Sequence, residues 1–306
     1  MRKVCGALAV VLLGLVACSD DKPAPAAPPP TTAHSTPALP PAPDGLPRGG
    51  RVIFPKYQLV AYVGLPGSPA LGPLDKDLDA KAAKLDRLSR AYAAGRTPLP
   101  VMELIAVVAR GSRGKDGLYR GRLDDAKIEQ YLTVARKHKM LLLLDIQPGR
   151  AKILPEVQRL ERWLKEPDVG LAFDPEWAVG PTQVPGRVFG HTTGAELDSI
   201  AAYLSGLVQA NGLPEKVFVF HQLSPRIVTG EKALKPHPGV VTIKSVDGIG
   251  AHTDKLKTWT KLTTALPPSV HVGFKLFYTE DTRHGPLMTP TQVLALKPRP
   301  ELVVYE

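Results

Sequence analysis

Eight short apolar runs, most of them separated by helical patterns, constrain this chain more than any other feature. They are YQLVAYVGL (57–65), VMELIAVVA (101–109), MLLLLDI (140–146), VGLAFD (169–174), KVFVFHQ (216–222), VVTIKSVD (240–247), VHVGFKLFY (270–278) and ELVVY (301–305). Runs this short and this continuously apolar read as strands covered on both faces, the habit of a parallel sheet. Between them lie DKDLDAKAAKLDRLSRAYAAG (75–95), DDAKIEQYLTVARKHK (124–139), ILPEVQRLERWLKE (153–166), GAELDSIAAYLSGLVQANG (194–212) and TPTQVLAL (289–296). The fourth keeps Leu197, Ile200, Ala201, Leu204, Leu207 and Val208 on one face, a 3.6-residue period, and stops at Asn211-Gly212 with Pro214 beyond. In the last, Thr289 and Pro290 stand where an N-cap and a first-turn proline belong.

Eight strands alternating with helices over about 250 residues predict a single-domain α/β fold, a (β/α)8 barrel spanning 51–306. The rival is an open doubly wound sheet, which carries a glycine-rich phosphate turn after its first strand. Here that position reads GLPGSPALGP (64–73), with no helix following in the right register. No Walker-type loop occurs either, so no nucleotide cofactor is expected.

In such a barrel the active site lies at the C-terminal ends of the strands. Taken in order, those ends carry Tyr62, Arg110, Asp145 with Gln147, Asp174 with Glu176, His221 with Gln222, Asp247, Lys275 with Tyr278, and Tyr305 with Glu306. Side chains two apart on a strand share a face, so Asp145 and Gln147 point together, as do Asp174 and Glu176. An Asp after a strand also caps helices, and Asp247 before GIGAHTDKL has that alternative role. Arg110 in its Gly-rich loop has a surface alternative, and His221 a core one. Lys275 sits inside an apolar strand, where an unpaired ammonium is costly, so it is expected to meet Asp174 or Asp247.

Several carboxylates with aromatics suit glycoside hydrolysis, which needs one protonated and one ionised carboxyl. Glu176 is the expected general acid, tuned by Asp174, with Asp145 or Asp247 as nucleophile or base. Arg110, Gln147, His221, Gln222 and Lys275 are expected to contact the substrate, and Tyr62, Trp177 and Tyr278 to line it or stack on sugar rings. FDPEW (173–177) resembles the D-x-E ending of the fourth strand in barrel hydrolases of the lysozyme-like family 25 and the chitinase-like family 18. That resemblance implies that the glutamate is the acid. The longer series of spaced aspartates of the chitinase-like family is missing, which argues against substrate-assisted catalysis. The segments DIQPGR (145–150), DPEW (174–177) and FKLFY (274–278) resemble those of barrel lipoproteins of Gram-positive actinobacteria, implying fold and location rather than a reaction.

The front of the chain supplies the address. Residues 1–18, MRKVCGALAVVLLGLVAC, join a basic start to an apolar stretch shorter than the about 20 residues a membrane span needs. Its last four residues resemble the bacterial lipobox, implying a mature chain that begins at lipidated Cys18 and is held in a membrane by its acyl chains. Cys5 and Cys18 are the two cysteines, so a mature domain starting at Cys18 has no thiol nucleophile, thiolate metal site or disulfide. Residues 19–50 are dense in Pro, Ala and Thr and read as a disordered tether; about 30 residues extended at ~3.1 Å each reach roughly 90 Å.

The formal charge of +10 favours anionic neighbours such as acidic glycans or lipid headgroups. An exported address and the lack of a basic, aromatic-interleaved motif argue against nucleic acid. The expectation is thus a lipid-anchored, extracytoplasmic monomer acting on an envelope polysaccharide. Two alternatives stand beside it. A non-catalytic binding lipoprotein keeps the cleft without the chemistry. A metal-dependent hydrolase uses Asp145, Asp174, Glu176, His221 and Asp247 as ligands, although neither an H-x-H nor an H-E-x-x-H pair is present.

Overall fold

A computed structural model describes residues 40–306; the signal segment, Cys18 and the first part of the tether lie outside the described residues. Eight strands form the body: β1 (Tyr57–Gly64), β2 (Thr97–Ala109), β3 (Leu141–Ile146), β4 (Val169–Phe173), β5 (Lys216–Gln222), β6 (Val240–Val246), β7 (Val270–Leu276) and β8 (Leu302–Tyr305). Each pairs in parallel with its successor, and β1 pairs with both β2 and β8, so the sheet closes on itself. This is the (β/α)8 barrel that the eight runs predict. A short strand, Arg120–Arg122, adds antiparallel to the end of β2.

Strand β2 begins four residues before its apolar run, and it contains Pro98 and Pro100. Thr97 donates its N–H toward β1, to Lys56 O, so the alternating N–H positions at 98 and 100 face the β3 side. There pairing starts only at Val101↔Leu141. The two prolines therefore occupy positions where no ladder donor is needed.

Helices α1 (Leu78–Arg90), α2 (Asp125–Lys137), α3 (Ile153–Arg159), α4 (Glu161–Leu164), α5 (Gly194–Asn211), α6 (His252–Thr263) and α7 (Pro290–Leu294) cover the outside. Thr193 caps α5 through the Glu196 N–H, and Gly212 ends it in the left-handed region at φ 57°. Thr289 makes a full capping box with Gln292. The 153–166 pattern is one helical stretch in sequence and two helices in space, broken at Leu160. Between β5 and β6 the described residues hold no α-helix, only the short strand Val228–Thr229 and a 3-10 turn, Glu231–Ala233. The packed body begins ahead of residue 51. Leu46 is buried against Ile53 and β1, and the Arg48 guanidinium donates to Pro98 O (2.9 Å) and Asp86 Oδ1 (2.5 Å).

Two-residue alternation sorts the strand side chains into two cores. Val60, Met102, Leu142, Leu144, Phe218, Phe274 and Val303 face the helices. Leu59, Ala61, Leu99, Val101, Leu143, Ala172, Val219, Ile243 and Val304 fill the interior. Gly170 leaves room for this filling: a Cβ there would stand 2.6 Å from Leu143 Cδ2 and 2.7 Å from Val217 O. The interior is a packed column, and its chemistry changes at the top.

Candidate active site

On the inward-facing series of each strand, apolar residues give way to polar ones toward the C-terminal end. In β2, Glu103 follows Leu99 and Val101; in β3, Asp145 follows Leu141 and Leu143; Asp174 follows Ala172 at the end of β4. In β5, His221 follows Val217 and Val219; Ser245 and Asp247 follow Ile243; Lys275 lies on β7, and Glu306 follows Val304. Glu103, Asp145, Asp174, His221, Ser245, Asp247 and Lys275 are all buried. Above them, Pro175 opens a 3-10 turn over Pro175–Trp177, which carries Glu176 back over this layer. The turn is pinned by Trp177 N–H to Asp174 O (3.2 Å) and Gly190 N–H to Glu176 O (2.6 Å).

His221 is the hub. Its Nδ1–H donates to Asp247 Oδ2 (2.8 Å) and its Nε2–H to Glu103 Oε1 (3.0 Å). A ring with a carboxylate at both nitrogens is an imidazolium. Burial alone would lower its pKa, but Asp247, Asp174 and Glu103 together raise it well above the ordinary histidine value, against opposition from Lys275. Lys275 Nζ reaches Asp247 Oδ2 (3.1 Å) and Glu306 Oε2 (2.7 Å). Ser245 Oγ donates to Asp247 Oδ1 (2.6 Å). Gln147 donates to Asp174 Oδ2 (2.9 Å) while its Oε1 accepts from the Ala109 N–H (3.2 Å), which fixes the amide's orientation.

Two cations thus serve six carboxyl groups: Glu103, Asp145, Asp174, Glu176, Asp247 and Glu306. The mismatch drives the pKa values of Glu176, Asp145 and Asp247 apart. Burial, then the neighbouring Asp174 and Asp247 charges, push Glu176 up to about 8. Burial and Asp174 also raise Asp145 well above the usual carboxylate range. Asp247 goes the other way: burial would raise it, but Lys275 and His221, helped by the Ser245 hydroxyl, hold it well below that range. One oxygen each from Asp174, Glu176 and Asp247 lie within 4.8 Å of one another. Glu176 Oε2, Asp174 Oδ1 and Asp145 Oδ1 are hidden from solvent with no hydrogen-bond partner.

The structure brings together Asp145, Gln147, Asp174, Glu176, His221, Asp247 and Lys275 from the sequence analysis. Lys275 meets Asp247, and Asp247 caps no helix, since α6 starts five residues later with Ala251 at its N-cap position. Other candidates lie elsewhere. Gln222 follows His221 directly, so alternation turns it outward, where Nε2 donates to Ser224 O (3.2 Å). Arg110 is exposed, its guanidinium lying over Gly121 of the short strand. Tyr62 shares the outward face of β1 and joins Tyr92, Tyr278 and Tyr305 in an aromatic cluster, with Tyr278 and Tyr305 stacked at 5.3 Å. Trp177 is half-buried and lines a cleft of about 210 Å³ with Glu176, Val188 and Phe189; Phe189 is 70 % exposed.

Glu103 and Ser245 escaped the sequence analysis. Both sit within apolar runs rather than at their ends. The signal was available: each interrupts the inward series at every second residue of its strand.

Asp145–Asp174–His221 and Asp174–Glu176–Asp247 are each close enough to hold an ion, and the second is an all-oxygen set suited to Mg²⁺ or Ca²⁺. Against this, Asp247 already accepts from His221, Lys275 and Ser245, and the two neighbouring cations repel a third.

No family model matches the chain, and no curated protein does. Among solved structures, the chain is similar to a hyperthermophilic endo-β-1,4-glucanase in complex with substrate. The TM-score is 0.37 and the identity 7 %, covering 68 % of this chain and 77 % of the other. A likeness that distant carries no argument about reaction, which rests on the site alone.

Proposed function

We propose that this barrel is a retaining glycoside hydrolase acting on a cell-envelope polysaccharide. One observation carries the reading: Glu176 and Asp247, with oxygens within 4.8 Å, are pushed to opposite sides of neutrality. An acid that keeps its proton beside a carboxylate that keeps its charge is the division of labour that glycosidic cleavage needs. Glu176 gives its proton to the glycosidic oxygen as that C–O bond breaks. Asp247 Oδ1, the oxygen free of the ionic contacts, forms an ester to the anomeric carbon. Glu176, now ionised, then takes a proton from water, and the water oxygen displaces Asp247 from the sugar. Carboxyls about 5–5.5 Å apart go with retention and roughly 6.5–9.5 Å with inversion, and the close approach here supports the former. Asp145, raised well above the usual carboxylate range by burial and by Asp174, is the weaker candidate for the nucleophile.

The test uses a panel of envelope glycan fragments followed by proton NMR. The first product formed is expected to keep the anomeric configuration of the substrate, and an activated 2-fluoro glycoside to leave its mass on Asp247. An inverted product, or a label elsewhere, overturns the assignment. No turnover on any fragment, with binding intact, favours the glycan-binding lipoprotein instead. The all-oxygen cluster favours a second reading, metal-dependent hydrolysis. Its distinguishing result is activity abolished by chelator and restored by Mg²⁺ or Ca²⁺, whereas acid/base chemistry survives chelation.

The same proposal holds the chain to the outer face of the membrane through acylated Cys18, supported by the basic, apolar and lipobox-like order of residues 1–18. Cells fed a clickable palmitate analogue are expected to label the native chain and not Cys18→Ser. Labelling of both ends the lipoprotein reading.

A further inference from the structure

Outside the carboxylate layer, a cavity of about 410 Å³ opens at the barrel rim between β1, α1 and the segment after β7. Its volume falls in the about 300–1,000 Å³ of small-ligand sites. Tyr62, Tyr278, Lys76, Lys81, Lys84 and Glu306 are among the side chains that line it. Glu306 of the lining holds Lys275, which holds Asp247, so a relay of ion pairs links the cavity wall to the carboxylate layer. Its charges are unevenly committed. Lys81 pairs with Asp75 at 3.8 Å and Glu306 with Lys275 at 2.7 Å. Lys76 and Lys84 make no ion pair among the described residues, and Glu280 is the one acid of the lining that pairs with no cation there. Lys84 Nζ stands 5.9 Å from the centre of the Tyr278 ring, held beside an aromatic face.

We propose that this cavity binds a uronic-acid residue of the glycan, with its carboxylate toward Lys76 and Lys84 and its ring against Tyr278. The assignment rests on the glycosidase reading for the identity of the chain it binds. It names the feature that reading leaves open, a substrate carrying carboxylates. Tyrosine hydroxyls and ring faces suit a sugar ring, and two ammonium groups on exposed stems suit an anion brought in from solvent.

Calorimetric titration of the purified full chain decides it. The probes are a tetrasaccharide of alternating glucuronate and N-acetylglucosamine and its carboxyl-reduced counterpart. The acidic probe is expected to bind at least tenfold more tightly, with the preference shrinking as salt rises to 0.5 M. In the Lys76→Gln/Lys84→Gln chain, whose changed side chains are exposed and whose unfolding midpoint is checked alongside, the two probes are expected to bind alike. Equal affinity for both probes in the native chain, or a preference that survives the double substitution, overturns the assignment. Glu176→Gln separates the two readings, since its preference for the acidic probe is expected to match the native chain. Preference for the acidic probe without turnover of any envelope glycan fragment by the native chain sinks the catalytic reading alone, and turnover without preference sinks the cavity assignment alone.

Discussion

Glu176→Gln is expected to lower kcat on envelope glycan fragments by about 10²–10⁴-fold, the usual worth of a positioned general acid, while leaving their affinity within a few-fold. Glutamine keeps the shape and offers no proton. The pH dependence gives a second readout. The proposed chemistry needs Glu176 protonated, so the rate is expected to fall as pH rises through about 8. It also needs Asp247 ionised, and because that group is held low its limb lies on the acid side, below the usual carboxylate range. The residual rate of Glu176→Gln is expected to lack the alkaline limb. Stability follows the same group. A carboxyl raised in the fold lends stability that is complete below its unfolded value and lost as pH rises through its folded one. Between pH 5 and 8.5 the unfolding free energy of the native chain is therefore expected to decline more than that of Glu176→Gln. Parallel stability curves, or a loss in kcat below tenfold, count against Glu176 as the acid.

Lys275→Met removes one of the two cations from the buried layer and leaves Asp247 and Glu306 without an ammonium. Breaking a buried ion pair from one side typically costs about 3–5 kcal/mol, and urea unfolding at pH 7 is expected to show a loss of that size. The sign with pH is definite. Asp247 is depressed in the fold, so the stability it contributes is present above its unfolded value and disappears as pH falls. The gap between native and Lys275→Met is therefore largest near neutrality and narrows in acid. A loss under about 1 kcal/mol would mean that Lys275 is not what keeps Asp247 charged.

The strands were legible because each is a continuous apolar run, which parallel pairing under helices demands; even so, β2 hid its start behind two prolines. Asp174 and Glu176 were legible as carboxylates two apart at a strand end. The hub was not. His221 stood out, but its partners Glu103 and Asp247 come from β2 and β6, and only barrel closure brings those strands to one ring. Glu103 pairs in register with Leu143, lower on the wall than Asp145, which pairs with Ile105. Such an offset cannot be read from a list of strand ends. Gln222 and Tyr62 show the converse: a position near a strand end says nothing of inside or outside until alternation is counted from a residue whose face is known.

The filled interior below the carboxylates has a topographic consequence. Tyr57, Leu59, Leu99, Leu141, Val217 and Leu302 plug the column from beneath, with Leu46 and Ile53 in the same cluster. Anything that reaches the carboxylate layer must therefore enter and leave by the doorway at the rim. A polymer can drape across that doorway or dip an end into it, but it cannot be threaded through the barrel like rope through a ring. For the proposed hydrolase, successive cuts along one strand would thus require release and re-docking, or sliding over the rim.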